Sequence, residues 1–143
     1  MRSIYIYLKD ATNQQVCEYL QNTYTFQSGP PWIYEINGEP YLYINVDENM
    51  SLGYESEEWQ NIVNGFGEVP KIAVIADVSG RHPGDKQVRH FVTSLLKSFS
   101  GLAFDEYTLH LWTWEQIESN VVIQSHPFFD YNGWYLEEKN KSS

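Results

Sequence analysis

Positive charge, cysteine and long apolar runs are all scarce in this sequence. From Asp10 to Pro70, sixty-one consecutive positions contain no lysine, arginine or histidine, and ten of them are aspartate or glutamate. Acidic and basic residues balance over the rest of the chain, so the whole formal charge of −10 lies in this acidic stretch. Because phosphate contacts require lysine and arginine, we do not expect nucleic acid as a direct ligand.

The single cysteine, Cys17, excludes an internal disulfide bond and a zinc site built from several cysteines. It lies in a predicted helix, where the alternatives are a small buried apolar side chain and a reactive thiol. No apolar run approaches the roughly 18 residues of a membrane-spanning helix. The first ten residues, MRSIYIYLKD, also lack the apolar core of a signal peptide. We therefore expect a cytoplasmic protein that does not enter a membrane.

The local pattern alternates between strands and helices. Its strongest signal is Asn37-Gly38 between the runs WIYEI and EPYLYINV, which predicts a β-hairpin with a type I′ turn. Further strands are predicted over 3–8, 71–78, 107–112 and 121–124, and the second of these is apolar enough to be covered on both faces. A helix is predicted over 85–99, with others beginning at N-caps. The predicted caps are Thr12 with Gln15, Ser56, Asp85, and Thr113 with Gln116; Gly65 is the predicted end of the second helix.

These elements predict an α/β or α+β fold class. We expect one sandwich-like domain over 1–143, containing a mixed β-sheet, about three helices and the Asn37-Gly38 hairpin. Residues 138–143 are charged and polar and are predicted to form a frayed tail. No repeat, linker or low-complexity segment divides the chain.

Aromatic residues accompany the acids, since ten rings lie in the acidic stretch. Clustered like charges accelerate encounter with an oppositely charged partner, and Tyr and Trp supply large rigid contact areas. A charge run is often only a solvated face, but protein surfaces normally interleave both signs. We therefore predict that a basic protein partner supplies the missing cations. The predicted contacts are Asp47, Glu48, Tyr54, Glu55, Glu57, Glu58 and Trp59.

The segment DVSGRHPGD (77–85) joins the most apolar predicted strand to the most regular predicted helix. Such junctions often bind ligands in open α/β sheets, and the free N–H groups of a helix start can hold a phosphate or carboxylate. The segment matches neither a P-loop nor a dinucleotide-binding motif, and its glycines and proline also suit a purely structural turn. The alternative to partner binding is a ligand pocket or enzyme site formed by Asp77, Arg81, His82 and Asp105.

Catalytic and metal-binding patterns are weak. The four histidines are far apart in sequence, and no serine lies in a G-x-S-x-G elbow, so a nucleophilic triad has little support. Asp105, Glu106 and His110 lack zinc-ligand spacing, and neighbouring strand positions point to opposite faces. We therefore expect a protein that is not an enzyme and that has no metal and no cofactor.

Two motifs flank the predicted helix over 85–99. A DVSGR turn precedes it, and a run of the form G-x-A-x-D-[DE]-Y-T-x-H-x-W-T follows it. The matching residues of the run are Gly101, Ala103, Asp105, Glu106, Tyr107, Thr108, His110, Trp112 and Thr113. Over Ile75 to Ile117, about a third of the chain, the sequence resembles bacterial polymorphic-toxin immunity proteins. The resemblance implies a cytosolic single-domain inhibitor, made beside a toxin, that blocks the toxin's active site. Contact residues in such families vary with the partner, so no site residue is carried over.

The acidic stretch and the resemblance lead to the same expectation of an inhibitor that binds and neutralises a basic toxin or effector domain. A nuclease is the expected target, because an acidic protein can imitate the phosphate backbone that fills a nuclease groove. The alternatives are the ligand pocket or enzyme site at 77–85 and an interaction subunit that dimerises through its aromatic surface. The sequence leaves the oligomeric state open.

Overall fold

A computed structural model describes residues 2–24, 29–48 and 56–141, apart from the side chains of residues 56, 58 and 141. In chain order its elements are β1 (Arg2–Leu8), α1 (Asn13–Thr23), β2 (Trp32–Ile36), β3 (Glu39–Asp47), α2 (Ser56–Phe66), β4 (Ile72–Val78), α3 (Asp85–Ser98), β5 (Gly101–Phe104), α4 (Trp114–Glu118) and α5 (Tyr131–Lys141). No helix in the described ranges has both the length and the apolar character needed to cross a membrane.

The five strands form one sheet in the order β2-β3-β4-β1-β5, and every neighbouring pair is antiparallel. The α+β class is therefore confirmed, but the sheet is antiparallel rather than mixed over the described strands. β4 and β5 run in the same direction, yet β1 lies between them, so the crossover through α3 joins strands that do not pair. Five helices are described where about three were predicted, and α5 is the long addition.

Helices cover both faces of the sheet. α1, α3 and α4 pack on one face, whose core includes Ile6 and Val74. α2 packs on the opposite face, where Phe66 shares a smaller core with Tyr7 and Ala73. The predicted burial of the 71–78 strand on both faces is confirmed only near its start, because Ala73 belongs to the smaller core whereas Ile75 and Asp77 on the same face are half-buried. Each fully buried large apolar side chain contributes about 1.5–3 kcal/mol.

Signals between close neighbours in sequence predicted the local structure well. Asn37 and Gly38 have φ values of 52° and 80°, as the two central residues of a type I′ turn require. The turn joins β2 to β3, and the predicted hairpin is confirmed. Both predicted capping boxes are present: Thr12 with Gln15 and Thr113 with Gln116.

Three predicted helix ends need correction or lie outside the described atoms. α2 continues through Gly65 and ends at Phe66, before Gly67 with φ 92°. The N-cap of α3 is Gly84, with φ 72°, and Asp85 instead lies in the first turn. Both glycines are favoured there because a positive φ strains other residues. Ser56 is the first residue of α2, as Asp85 is of α3, and so does not precede the helix as the predicted N-cap would; its side chain lies outside the described atoms.

The region after α3 differs most from prediction. The strand is β5, not 107–112, and Trp112 contributes only an isolated bridge to Ala103. No strand forms over 121–124, where Ile123 makes a single bridge to His126. Residues 138–141 belong to α5 rather than to a frayed tail. The first residue of β5, Gly101, has to be glycine because a Cβ there would overlap the carbonyl oxygen of Tyr7 on the neighbouring strand.

Candidate binding surfaces

Antiparallel pairing collects acidic residues at one end of the sheet. β1 and β3 both finish where β4 begins, since Leu8 pairs with Ile72 and Asp47 pairs with Ala73. The turn after β1, the end of β3 and the segment leading into β4 therefore lie at this acidic end. Its carboxylates come from Asp10, Asp47, Glu48 and Glu68.

Three acids of the acidic end face solvent. Asp10, Glu48 and Glu68 are exposed and make no ion pair with any cation that the structure describes. Lys9 and Lys71 adjoin the same end, and the Lys9 ammonium lies 4.8 Å from the centre of the Phe66 ring. The acids therefore outnumber the bases two to one at this end of the sheet.

Cys17 of α1 is close enough to the acidic end to respond to its charge. Burial raises the pKa of the Cys17 thiol, and the negative charge of Glu48 raises it further. The thiolate is the nucleophilic form of cysteine, so a raised pKa makes this side chain less reactive at neutral pH. The geometry accordingly favours the non-reactive alternative for Cys17.

At the opposite end of the sheet, Glu39 contacts a cation and a histidine ring of the same chain. Its carboxylate lies 3.6 Å from Arg81 and 3.2 Å from the Nε2 atom of His82. The His82 ring also stacks on Tyr41 with a centroid separation of 4.1 Å. Glu39 was not among the predicted partner contacts, and the strand order brings the Arg81 guanidinium to it from within the chain.

The predicted partner contacts fall in different places. Asp47 and Glu48 lie at the acidic end, and Glu57 is exposed near the start of α2. Trp59 is half-buried and meets Tyr7 edge-on at 6.5 Å, so it also supports the smaller core. Tyr54, Glu55 and the side chain of Glu58 lie outside the described residues. Asp10 and Glu68 were not predicted as contacts, because only the strand register places them beside Asp47.

The alternative site at 77–85 is only partly assembled. Arg81 and His82 meet on Glu39. Asp77 accepts a hydrogen bond from the Ser3 hydroxyl. Asp105 is instead buried beneath the loop after β5, where its carboxylate accepts hydrogen bonds from backbone N–H groups. The structure therefore brings Arg81 and His82 together on Glu39 but gives Asp77 and Asp105 separate partners.

The backbone of the 79–83 loop faces a cation. The Arg2 guanidinium donates hydrogen bonds to the carbonyl oxygens of Ser79, His82 and Pro83, the first at 3.3 Å. Converging carbonyl oxygens attract positive charge and repel anions. The carbonyl oxygens of this loop are therefore bound by an arginine that ties β1 to the loop, whereas the anion site predicted at the N–H groups of the helix start remains a prediction.

The histidines outside this loop make hydrogen bonds to polar side chains. The Nδ1 atom of His90 lies 3.1 Å from the Tyr34 hydroxyl, whose pKa is raised by burial. The Nε2 atom of His110 lies 2.9 Å from the side-chain oxygen of Gln116. Across the described residues, no three His, Cys, Asp or Glu side chains are grouped as a metal site would require.

A second candidate surface, which was not predicted, lies between the 105–110 loop and α5. This C-terminal cleft has a volume of about 950 Å³ and is walled by four aromatic rings: Tyr107, Tyr131, Trp134 and Tyr135. The charged side chains around the rings are Glu106, Glu137, Glu138 and Lys139. Residues 131, 134, 135 and 138 follow helical i, i+3, i+4, i+7 spacing, which is the signal that could have identified this face from sequence.

His126, which precedes α5 in sequence, contacts Trp134 and Glu137 of that helix. Its Nδ1 atom lies 2.8 Å from Asp130, its Nε2 atom contacts Glu137, and its ring stacks on Trp134 at 3.9 Å. The hydrogen bond with Asp130 raises the pKa of His126, and Glu137 raises it further, whereas burial lowers it. With a carboxylate at each nitrogen, both nitrogens act as donors when the ring is protonated. The positive form therefore fits the site.

Gly133 completes the attachment because it leaves room for the Asp130 carboxylate. Asp130 accepts a hydrogen bond from the Gly133 backbone N–H at 3.2 Å, and a Cβ on residue 133 would overlap its carboxylate. Alanine normally stabilises a helix by about 1 kcal/mol relative to glycine. We expect Gly133→Ala to lower the free energy of unfolding by about 1–2 kcal/mol instead, because the overlap displaces Asp130 from His126.

Denaturant unfolding of Gly133→Ala, with Asn132→Ala as a control, measures this effect. Asn132 is the exposed neighbour in the same helix, and its replacement should leave stability unchanged or slightly increased. A stabilised Gly133→Ala protein would contradict the crowded geometry at Asp130.

Comparisons of the chain with protein-family models, with curated proteins and with solved structures found no match.

Proposed function

We propose that the protein is a cytoplasmic inhibitor of the immunity kind, which binds a basic toxin or effector domain through the acidic end and the adjoining α2. The observation that carries the proposal is the gathering of Asp10, Asp47, Glu48 and Glu68 at one end of the sheet. Like charges at one place cost folding free energy, and they accelerate encounter with a basic partner. The resemblance over Ile75 to Ile117 supports the same function.

The aromatic side chains of the acidic stretch supply the second part of the proposed contact. Trp59 of α2 is half-buried against Tyr7, and Glu57 of the same helix is exposed. Tryptophan is among the side chains that dominate the binding free energy of protein interfaces. Carboxylates would accelerate association and select a basic surface, whereas the aromatic contact would slow dissociation.

A nuclease is the proposed class of target. A nuclease groove is basic because it binds phosphates, and an acidic protein surface can occupy it in place of the nucleic acid. Inhibition would then be competitive with the nucleic acid. No catalytic residue, metal or cofactor of the inhibitor takes part in this mechanism.

The test begins with a tagged protein that captures its partner from source-cell lysate at low salt and releases it at high salt. Association rates are then measured with the purified partner for the triple variant Asp10→Asn, Glu48→Gln, Glu68→Gln. We expect about a ten-fold slower association near 50 mM salt and a difference that shrinks as salt rises. Addition of the unmodified protein should also abolish the partner's activity at equimolar ratio.

A matched triple variant separates local from total charge. Glu35, Glu115 and Glu118 are exposed and are not among the four acids of the acidic end, so changing all three to glutamine removes the same formal charge, together with the ion pair between Glu118 and Lys97. This control should associate within about two-fold of the unmodified protein. Equal slowing in the two triple variants, or association that does not depend on salt, would refute the assignment of the acidic end.

A further inference from the structure

We infer that the C-terminal cleft binds the guanidinium group of an arginine side chain presented by a protein partner. The inference shares with the proposed function the expectation of a basic protein partner, but it concerns a different surface. The acidic end is built from strand termini, whereas the cleft is built from aromatic rings of α5 and of the 105–110 loop.

One aromatic ring of the cleft already contacts a guanidinium group that is not itself part of the cleft lining. The central carbon of the Arg2 guanidinium lies 4.2 Å from the centre of the Tyr131 ring and 5.8 Å from that of Phe129. Within about 6 Å, a ring face attracts a cation through its quadrupole. The same tyrosine lines the cleft, so the protein itself provides an example of the contact that we infer for the ligand.

The rings are arranged as two nearly parallel pairs. Tyr107 and Trp134 have centroids 6.0 Å apart and planes inclined by 15°, and Tyr131 and Tyr135 have centroids 6.3 Å apart and planes inclined by 27°. Tyr135 is 57% exposed, which leaves much of its surface available to a ligand. A planar guanidinium can stack on such rings while its N–H groups reach carboxylates, whereas the ammonium of lysine is a compact point charge.

The charge and size of the cleft also suit an arginine within a polypeptide. Three glutamates, Glu106, Glu137 and Glu138, surround the rings together with a single base, Lys139. The lining side chains carry a formal charge of −2, although Glu137 contacts His126 and Arg2 adds a positive charge at Tyr131. The cleft volume of about 950 Å³ far exceeds the volume of one guanidinium group, so neighbouring residues of the partner have room to enter.

Isolated peptides test this inference without the proposed target. The probe is an acetylated and amidated Gly-Gly-Arg-Gly-Gly peptide, and binding is followed by the NMR shift of the Trp134 indole N–H. We expect this peptide to bind about ten-fold more tightly than its citrulline counterpart, which is uncharged, and more tightly than its lysine counterpart. It should also bind more tightly than argininamide, because only the peptide fills the rest of the cleft.

Two neighbouring residues of α5 provide the matched variants. Tyr135→Ser should weaken peptide binding about three- to ten-fold, whereas Leu136→Ser, at a position equally exposed but outside the cleft, should not change it. Lys139→Gln should strengthen binding about two-fold, because it removes the like charge. Near-ultraviolet circular dichroism confirms that each variant keeps its fold.

Several results would overturn the inference. Equal affinity for the arginine and citrulline peptides, equal effects of Tyr135→Ser and Leu136→Ser, or no shift of the Trp134 signal would each exclude a guanidinium site. Argininamide that binds as tightly as the peptide would exclude a polypeptide ligand. The triple variant of the acidic end should bind the peptide normally, so this inference and the proposed function can fail separately.

Discussion

Replacing Asp105 by alanine is expected to lower the free energy of unfolding by about 2–4 kcal/mol, the largest loss that we expect from a single polar side chain here. Asp105 is 2% exposed, and its two carboxylate oxygens accept hydrogen bonds from different backbone groups. The Tyr107 N–H donates to one at 3.2 Å and the Phe129 N–H donates to the other at 2.9 Å. Alanine would leave both donors without this acceptor.

Asparagine at position 105 provides an intermediate test. Its side chain has one carbonyl oxygen, so it can accept from Tyr107 or from Phe129 but not from both. We expect Asp105→Asn to lose about half as much stability as Asp105→Ala in urea unfolding. Glu106→Gln, at the exposed next position, serves as the control and should change stability by less than about 0.5 kcal/mol. Equal stabilities of the three variants would refute this structural role.

The pH dependence of the Asp105 variants follows from burial. Burial raises the pKa of Asp105, although the backbone hydrogen bonds lower it in part. Because the pKa in the folded protein is above that of the unfolded chain, the favourable contribution of Asp105 is complete at acid pH and decreases as the pH rises through the folded pKa. Asparagine does not ionise and has no such loss. The loss of unfolding free energy in Asp105→Asn, relative to the unmodified protein, should therefore be smaller at pH 7 than at pH 4.

The second large effect is expected at His126. Its folded pKa is raised by the carboxylates of Asp130 and Glu137, so its contribution to stability is complete below its unfolded value of about 6.5. The contribution decreases as the pH rises through the folded pKa. We expect His126→Gln to lower the free energy of unfolding by about 1–2 kcal/mol at pH 5.5 and by much less at pH 9.

Thermal unfolding of the unmodified protein and of His126→Gln between pH 5 and 9 measures this difference. Hydrogen exchange of α5 provides a local readout, since the protection of its amides relative to their intrinsic exchange rates should decrease at high pH in the unmodified protein. His90→Gln is the control because His90 is exposed and contacts the Tyr34 hydroxyl rather than a carboxylate. A difference between the unmodified protein and His126→Gln that does not vary with pH would show that His126 is neutral in the folded protein.

The elements that were predicted correctly depend on residues only a few positions apart in sequence. The type I′ turn needs only the positive φ values that Asn37 and Gly38 tolerate, and a capping box needs two residues three positions apart. The antiparallel strand order could not be predicted in this way. Placing β1 between β4 and β5 depends on contacts between residues more than sixty positions apart in sequence, for example Ile6 with Val74.

The helix α5 shows why composition misleads near a chain end. Its last residues are charged and polar without apolar periodicity, and its internal glycine disfavours a helix. In the structure, the contacts of His126 with Asp130, Glu137 and Trp134 stabilise the helix, and His126 precedes it in sequence. The aromatic face that forms the C-terminal cleft becomes apparent only when those contacts place α5 against the 105–110 loop.

The sequence by itself determined that the first half of this chain carries the net negative charge and many aromatic rings, because composition does not depend on folding. Only the tertiary structure decided where that charge acts. Strand pairing brings Arg81 and His82 to Glu39, and it gathers Asp10, Asp47, Glu48 and Glu68 at the other end of the sheet. The physical reason is that Coulomb energy depends on separation in space, which strand order and register set.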